Sequence, residues 1–336
     1  MIDINSLSAE WLTEKQNKYH RDPALIESLI HALYLLEQLK LTGLDFIFKG
    51  GTSLILILDQ PQRFSVDIDI IVSPQLTRGK LEEYLSRIPG SSAFLSMKLD
   101  ERRSYRAGVP KAHYIFSFSS NVPTKNKQGD VIRNPEREIL LDVLFAENHY
   151  PVLIERPIQT EWVIVKDEII TVTTPDINSI TGDKLTAFAP DTTGVPYHRE
   201  SVNAEGEAIK SEMFMEIMKQ AFDVGCLFDL LDDIDIFKKS YEASAIAEIK
   251  YRAERNIPSV EAVLKDTIAT ALIIARSVKQ ISDEGNEKFG YLSTGIHRFG
   301  NFVYTSTFRI EHAQVASAKA AYLSAIVLSR QNIGAT

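Results

Sequence analysis

The stretch Phe46-Ile47-Phe48-Lys49-Gly50-Gly51-Thr52-Ser53-Leu54 is followed, after a turn at Gln60-Pro61, by Arg63-Phe64-Ser65-Val66-Asp67-Ile68-Asp69-Ile70-Ile71-Val72. In the second segment Val66, Ile68, Ile70 and Val72 alternate with the two aspartates, which is the period of a strand. Phe46 to Phe48 predicts a short buried strand broken at Gly50-Gly51, and Thr52 to Leu58 predicts a short helix. On a strand, Asp67 and Asp69 share one face, roughly 6–7 Å apart. Two carboxylates so placed repel each other unless a cation lies between them. Mg²⁺ takes only one or two protein carboxylates and fills its shell with phosphate oxygens and water. Taken alone, the pair is more simply the solvent face of an edge strand. The Gly-Gly turn supplies a second element, because it can present backbone N–H groups at a helix N-terminus to phosphate. Thr52 or Ser53 can add a hydroxyl there, and Arg63 and Ser65 immediately precede the acidic strand.

Upstream, Asp22-Pro23 is a helix-start signal, and Leu25, Ile26, Leu29, Ile30, Leu33, Leu36 and Leu39 follow at helical spacing toward Thr42-Gly43. Downstream, Gly79 to Ile88 predicts a helix. Phe94 to Asp100, His113 to Phe118 and Glu138 to Phe145 predict strands, with a polar loop from Asn121 to Asn134. Trp162 to Val165 and Ile169 to Thr173 are expected to pair as a hairpin around Lys166-Asp167-Glu168. Beyond Pro175 the pattern becomes helical. Asp176 can cap a helix bearing Asp183, Lys184, Ala187 and Phe188, and longer helices are expected over about 207–232, 236–254, 258–281 and 312–330. The predicted class is α+β: residues 1–175 form a mixed β-sheet with flanking helices, and residues 176–336 form an all-helical C-terminal domain.

Composition bounds the function. Of the 336 residues, 44% are apolar and 24% charged, the profile of an ordinary globular protein. The single cysteine, Cys226, excludes a disulfide framework and fits a reducing, cytoplasmic setting. No secretion signal is expected, and the sequence holds no membrane-length apolar run. Net charge is −8, yet residues 98–137 hold nine Lys/Arg against four Asp/Glu. This basic segment, with Arg102, Arg103, Arg106, Lys125 and Lys127, is either a solvated loop or a docking place for a polyanion. The seven histidines have no zinc spacing, and no P-loop or serine-nucleophile elbow occurs.

The segment Lys49-Gly50-Gly51-Thr52-Ser53-Leu54 with Arg63-Phe64-Ser65-Val66-Asp67-Ile68-Asp69 resembles the first motif of the AbiEii/AbiGii-type nucleotidyltransferase toxins. These belong to the DNA polymerase β-like superfamily. The resemblance implies that Asp67 and Asp69 hold metal, and that a later strand adds a third carboxylate, matched by Asp142 in Ile139-Leu140-Leu141-Asp142-Val143-Leu144. It also matches Gly182-Asp183-Lys184-Leu185-Thr186-Ala187 and Lys219-Gln220-Ala221-Phe222-Asp223. There Lys184 would touch the triphosphate as a point charge and Asp223 would complete a polar pocket. Lys219 and Asp223 are also an i,i+4 pair that fits a surface salt bridge.

The expected reaction is attack by an acceptor hydroxyl on the α-phosphate of an NTP, with Mg²⁺, or Mn²⁺ in its place, as cofactor. Asp67, Asp69, Lys184 and Asp223 are the expected catalytic residues, and Asp67, Asp69 and Asp142 the metal ligands. Gly50, Gly51, Thr52, Ser53, Arg63, Ser65 and Lys184 are expected to bind the nucleotide. By the resemblance, the acceptor is an RNA, a tRNA end among the candidates, and an antitoxin protein restrains the enzyme. The same carboxylates would also serve a two-metal nuclease, and a non-catalytic nucleotide-binding scaffold is the third reading.

Overall fold

The structure is a computed structural model that describes residues 1–105, 108–126, 128–202, 207–277 and 279–331. It contains two compact units, one of Met1–Asn148 with Leu153–Pro175 and the other of His149–Val152 with Asp176–Thr336.

The first unit runs α1 (Ala9–Tyr19), α2 (Pro23–Leu41), β1 (Ile47–Lys49), α3 (Gly50–Ile57), β2 (Ile68–Val72), α4 (Arg78–Ser91), β3 (Phe94–Leu99), β4 (Lys111–Ser119), β5 (Thr124–Lys125), β6 (Val131–Ile132), β7 (Glu136–Phe145), β8 (Leu153–Pro157) and β9 (Thr171–Pro175). Asp22 opens α2 by accepting the Ala24 N–H at 2.8 Å, with Pro23 in the first turn where its missing N–H is harmless. Most of α2 is buried, including Glu27, His31 and Glu37. Each of these polar groups has a partner. Glu27 accepts from the Asn121 N–H at 2.6 Å, Glu37 accepts from the Ile2 N–H at 2.7 Å, and the His31 ring stacks on Phe118 at 3.7 Å.

Among the described residues the main sheet has seven strands in the order β3-β4-β7-β2-β1-β9-β8. The β2–β7 and β1–β9 pairs are parallel and the rest antiparallel. The sheet is therefore mixed, with β2 and β7 at its middle.

Three local expectations change. Strand β2 starts at Ile68, so Asp67 lies on its lead-in. Beyond this point β1 has already turned into α3, and the Asp67 carbonyl bonds to a side chain instead of a strand. Residues 162–165 do not pair with β9, whose partners are β1 and β8. Trp162 is fully buried between Tyr19 (4.5 Å) and Phe64 (5.4 Å), and Val165 bridges Ile2. Finally, the polar loop 121–134 contains the short β5–β6 pair.

The second unit comprises α5 (Ile177–Ala187), β10 (His198–Val202), β11 (Ala208–Glu212), α6 (Phe214–Phe228), α7 (Ile234–Tyr251), α8 (Val260–Arg276), α9 (Asp283–Phe299) and α10 (Ile310–Gln331). Its core is an apolar cluster drawn from all of these helices, including Leu185, Met218, Phe222, Phe237, Ile274, Phe299 and Leu323. Residues 208–212, expected to be helical, form a hairpin with β10 in which Glu200 faces Lys210, an opposite-charge cross-strand pair. The helix α9 was not anticipated because Gly285, Gly290 and Gly295 weaken its periodicity. Gly295 has a packing reason: a Cβ there would lie 2.3 Å from the Phe214 carbonyl oxygen.

One buried carboxylate ties the loop after α5 to α8. Asp266 accepts the Asp191 N–H at 2.9 Å and the Thr192 hydroxyl at 2.8 Å, with Thr270 at 3.3 Å. Burial raises its pKa to about 6, against the lowering effect of the Thr192 hydrogen bond. Asp266 thus holds its proton more tightly folded than unfolded. Its contribution to stability is full below about pH 4 and is lost as pH rises through about 6. Urea unfolding of the parent and of Asp266→Asn at pH 4.5 and pH 7.5 checks this. The parent should lose stability relative to the variant by up to a few kcal/mol between the two pH values; a constant difference would refute the assignment.

Candidate active site

The site is built from the end of β1 outward. Lys49 is the N-cap of α3, and its own side chain makes no capping bond to the first turn that starts at Gly50. Gly50 has φ +80°, and a Cβ on it would lie 2.1 Å from Asp69 Oδ2. Both facts exclude a side chain. A Cβ on Gly51 would lie 2.6 Å from Arg63 Nη2 and 2.9 Å from Ser65 Oγ. The double glycine is thus the surface on which Asp69, Arg63 and Ser65 pack. Arg63 is buried and donates from Nη1 to the Phe64 carbonyl at 2.9 Å.

Thr52 joins the two halves of the motif. Its Oγ1 donates to the Asp67 carbonyl at 2.5 Å and lies 2.9 Å from Ser65 Oγ. Ser53 donates to the Gly50 carbonyl at 2.9 Å. Both residues are fully buried, so their hydroxyls face inward and brace the turn. Asp67 is exposed and Asp69 half-buried.

Sheet register extends the arrangement sideways. Lys49 pairs with Asp69 on β2, Asp69 with Asp142 on β7, and Asp142 with His113 on β4. Directly paired residues project to the same side of a sheet, so these four form one row across four strands. His113 Nδ1 lies 2.5 Å from Asp142 Oδ1. Neither His113 nor Lys49 was singled out from the sequence. Both of the strands that carry His113 and Asp142 were legible, but the register that joins the two residues is a tertiary fact.

In the helical unit, Lys184 Nζ on α5 lies 2.9 Å from Asp223 Oδ2 on α6, with side-chain exposures of 7% and 2%. Gln220 Oε1 is 3.4 Å from the same ammonium. Asp223 thus belongs to a buried pair with Lys184, while Lys219 sits 4.5 Å over the Phe302 ring. Removing one partner of a buried ion pair typically costs about 3–5 kcal/mol. A Lys184→Ala change therefore acts on stability.

In the basic segment, Arg102 and Lys125 are exposed and Arg103 half-buried, while Arg106 and Lys127 lie outside the described residues. Among the described residues no three His, Cys, Asp or Glu side chains gather as a ready-made metal cluster. The oxygen donors present, two aspartates at the mouth of β2 and a third in register beside them, nevertheless suit a hard divalent ion, which needs only one or two carboxylates. Among the same residues no helix is long and apolar enough to cross a membrane.

A family model described as "Nucleotidyl transferase AbiEii toxin, Type IV TA system" matches residues 34–288. No curated protein matches the chain. The family match spans most of the 336 residues, and the chain belongs to this family. It is a nucleotidyltransferase enzyme of the toxin class, a membership that implies an NTP substrate and an antitoxin partner.

Two glycines with positive φ separate backbone strain from site disruption. Gly43 has φ +84° and nothing within 4 Å of a built Cβ, whereas Gly50 has φ +80° and the Asp69 carboxylate in the way. Both Gly→Ala variants should lose about 1–2 kcal/mol to backbone strain. Only Gly50→Ala should also abolish nucleotidyl transfer. Equal transfer rates in the two variants would show that the Gly50–Asp69 contact is not part of the active site.

Proposed function

We propose that this member of the AbiEii family moves a nucleoside monophosphate from an NTP to a hydroxyl of an RNA acceptor, releasing pyrophosphate. The observation that carries the proposal is the Asp69 carboxylate packed directly on Gly50, in the first turn of α3. The positive end of the helix favours negative phosphate there, and the Asp69 carboxylate beside it offers oxygen to a cation.

Asp67 and Asp69, with Asp142 beside them in register, are the residues to hold Mg²⁺, with Mn²⁺ as the alternative ion. A divalent ion bound there would neutralise triphosphate charge and polarise the phosphate under attack. The α3 backbone at Gly50 and Gly51 offers N–H groups to phosphate oxygens. Arg63 and Ser65 lie against Gly51 and contribute positive charge and a hydroxyl. Thr52 and Ser53 act through the backbone they brace: Thr52 fixes the Asp67 carbonyl and Ser53 that of Gly50. In the helical unit, Lys184 is the candidate phosphate-directed ammonium and Asp223 the group that orients it.

The acceptor reading rests on charge. Residues 98–137 are basic within an acidic chain, and Arg102 and Lys125 are exposed there. An RNA, a tRNA end among the candidates, matches such a surface by its phosphates. A toxin of this kind would work on cytoplasmic RNA, with its antitoxin as the restraint.

Incubation with α-labelled NTP, RNA and Mg²⁺ tests the proposal. The label should enter a lengthened acceptor, and Asp67→Asn or Asp69→Asn should reduce transfer by orders of magnitude with little loss of fold stability. A shortened acceptor would replace the reading with a nuclease, and NTP binding without turnover would replace it with a scaffold.

A further inference from the structure

We infer that His113 is a positioning residue for the third carboxylate of the site, donating from Nδ1 to Asp142 Oδ1 and fixing which oxygen of Asp142 faces the metal. The inference rests on the reading of Asp142 as a metal-holding group and assigns a function to a side chain outside the motif.

The geometry is specific. His113 and Asp142 are direct partners in the β4–β7 ladder, and their side chains meet at 2.5 Å. An ionised carboxylate can only accept, so the hydrogen of this bond sits on Nδ1. His113 is itself held rigidly. Its N–H donates to Ser104 Oγ at 2.8 Å, and its carbonyl accepts the Asp100 N–H at 2.8 Å. With a side-chain exposure of 14%, against 32% for Asp142, the ring is the more enclosed partner and the carboxylate the more accessible one. A donor of fixed position on one oxygen leaves the other as the outward donor and removes the rotamer freedom of the aspartate. Groups that orient a metal ligand in this way commonly change metal affinity 10- to 100-fold when removed.

The backbone bonds give the same residue a second connection. Asp100 and Ser104 bracket Arg102 and Arg103, so the strand that positions Asp142 also anchors the arginine-bearing turn of the basic segment. A disturbed His113 backbone would affect both, but a side-chain replacement that keeps the strand intact isolates the carboxylate contact.

The choice of replacement follows from the atom used. Asparagine places an amide N–H close to the position of Nδ1, whereas leucine fills similar space without a donor. Mn²⁺ binding to the full chain, read by loss of the free-ion electron paramagnetic resonance signal, supplies a readout independent of turnover. His113→Leu should weaken Mn²⁺ binding about tenfold or more and raise the Mg²⁺ concentration for half-maximal transfer in proportion. His113→Asn should remain within about threefold of the parent, and Asp69→Asn should lose binding. If His113→Leu binds Mn²⁺ like the parent while Asp69→Asn does not, the positioning role is overturned and the metal reading stands. The role is also overturned if the Leu and Asn variants are equally impaired. If Asp69→Asn and Asp142→Asn both bind Mn²⁺ like the parent, the metal reading itself fails.

Discussion

The contact on which the candidate site depends is that of the Asp69 carboxylate with the Cα of Gly50. A side chain at Gly50 would overlap the carboxylate, and the left-handed backbone there already favours glycine. Because β1 ends at Lys49, opposite Asp69, the chain must turn at that point, and α3 starts with its N–H groups beside the acid. The next residues follow from the same constraint. Gly51 admits Arg63 and Ser65, and Thr52 reaches the Asp67 carbonyl. An exposed aspartate at a strand mouth is thereby held by hydrogen bonds and close backbone packing rather than by a hydrophobic shell. Such precision is what a phosphate-transfer site requires, since small errors in ligand placement are costly in rate.

Much of this was legible in the sequence, for reasons that can be named. The Gly-Gly turn and the alternation around Asp67 and Asp69 are local signals, and the helix-start chemistry at Asp22-Pro23 and Asp176 is local as well. What escaped is non-local. The partner of residues 171–175 was misassigned because apolar segments 162–165 and 169–173 look equally strand-like, and only the burial of Trp162 removes the first from the sheet. The helix α9 was hidden by glycines that exist for close packing, as at Gly295. The role of Thr52 and Ser53 was legible as chemistry but not as direction, since whether a hydroxyl points at a ligand or at a carbonyl depends on the turn it braces. His113 carries no motif at all, and its link to Asp142 comes from sheet register.

The helical unit adds a different kind of constraint. Lys184 and Asp223 are enclosed together, and a buried ion pair is weak ground for stability because desolvation offsets its attraction. Gly182 contributes to the setting: a Cβ there would lie 2.5 Å from the Tyr241 backbone nitrogen, so α5 and α7 approach closely around the turn that bears Lys184.

The most direct measurement on the central claim is the rate of transfer from the two α-phosphorothioate diastereomers of the NTP, in Mg²⁺ and in Mn²⁺. An ion held by Asp67 and Asp69 in the proposed reaction would also engage the α-phosphate, where sulfur is a poor ligand for Mg²⁺ but an acceptable one for Mn²⁺. One diastereomer should therefore react far more slowly in Mg²⁺ and recover substantially in Mn²⁺, and this recovery should vanish in Asp69→Asn. Equal rates for both diastereomers in Mg²⁺, or a slow diastereomer that Mn²⁺ does not restore, would contradict a metal held by these aspartates at the reacting phosphate.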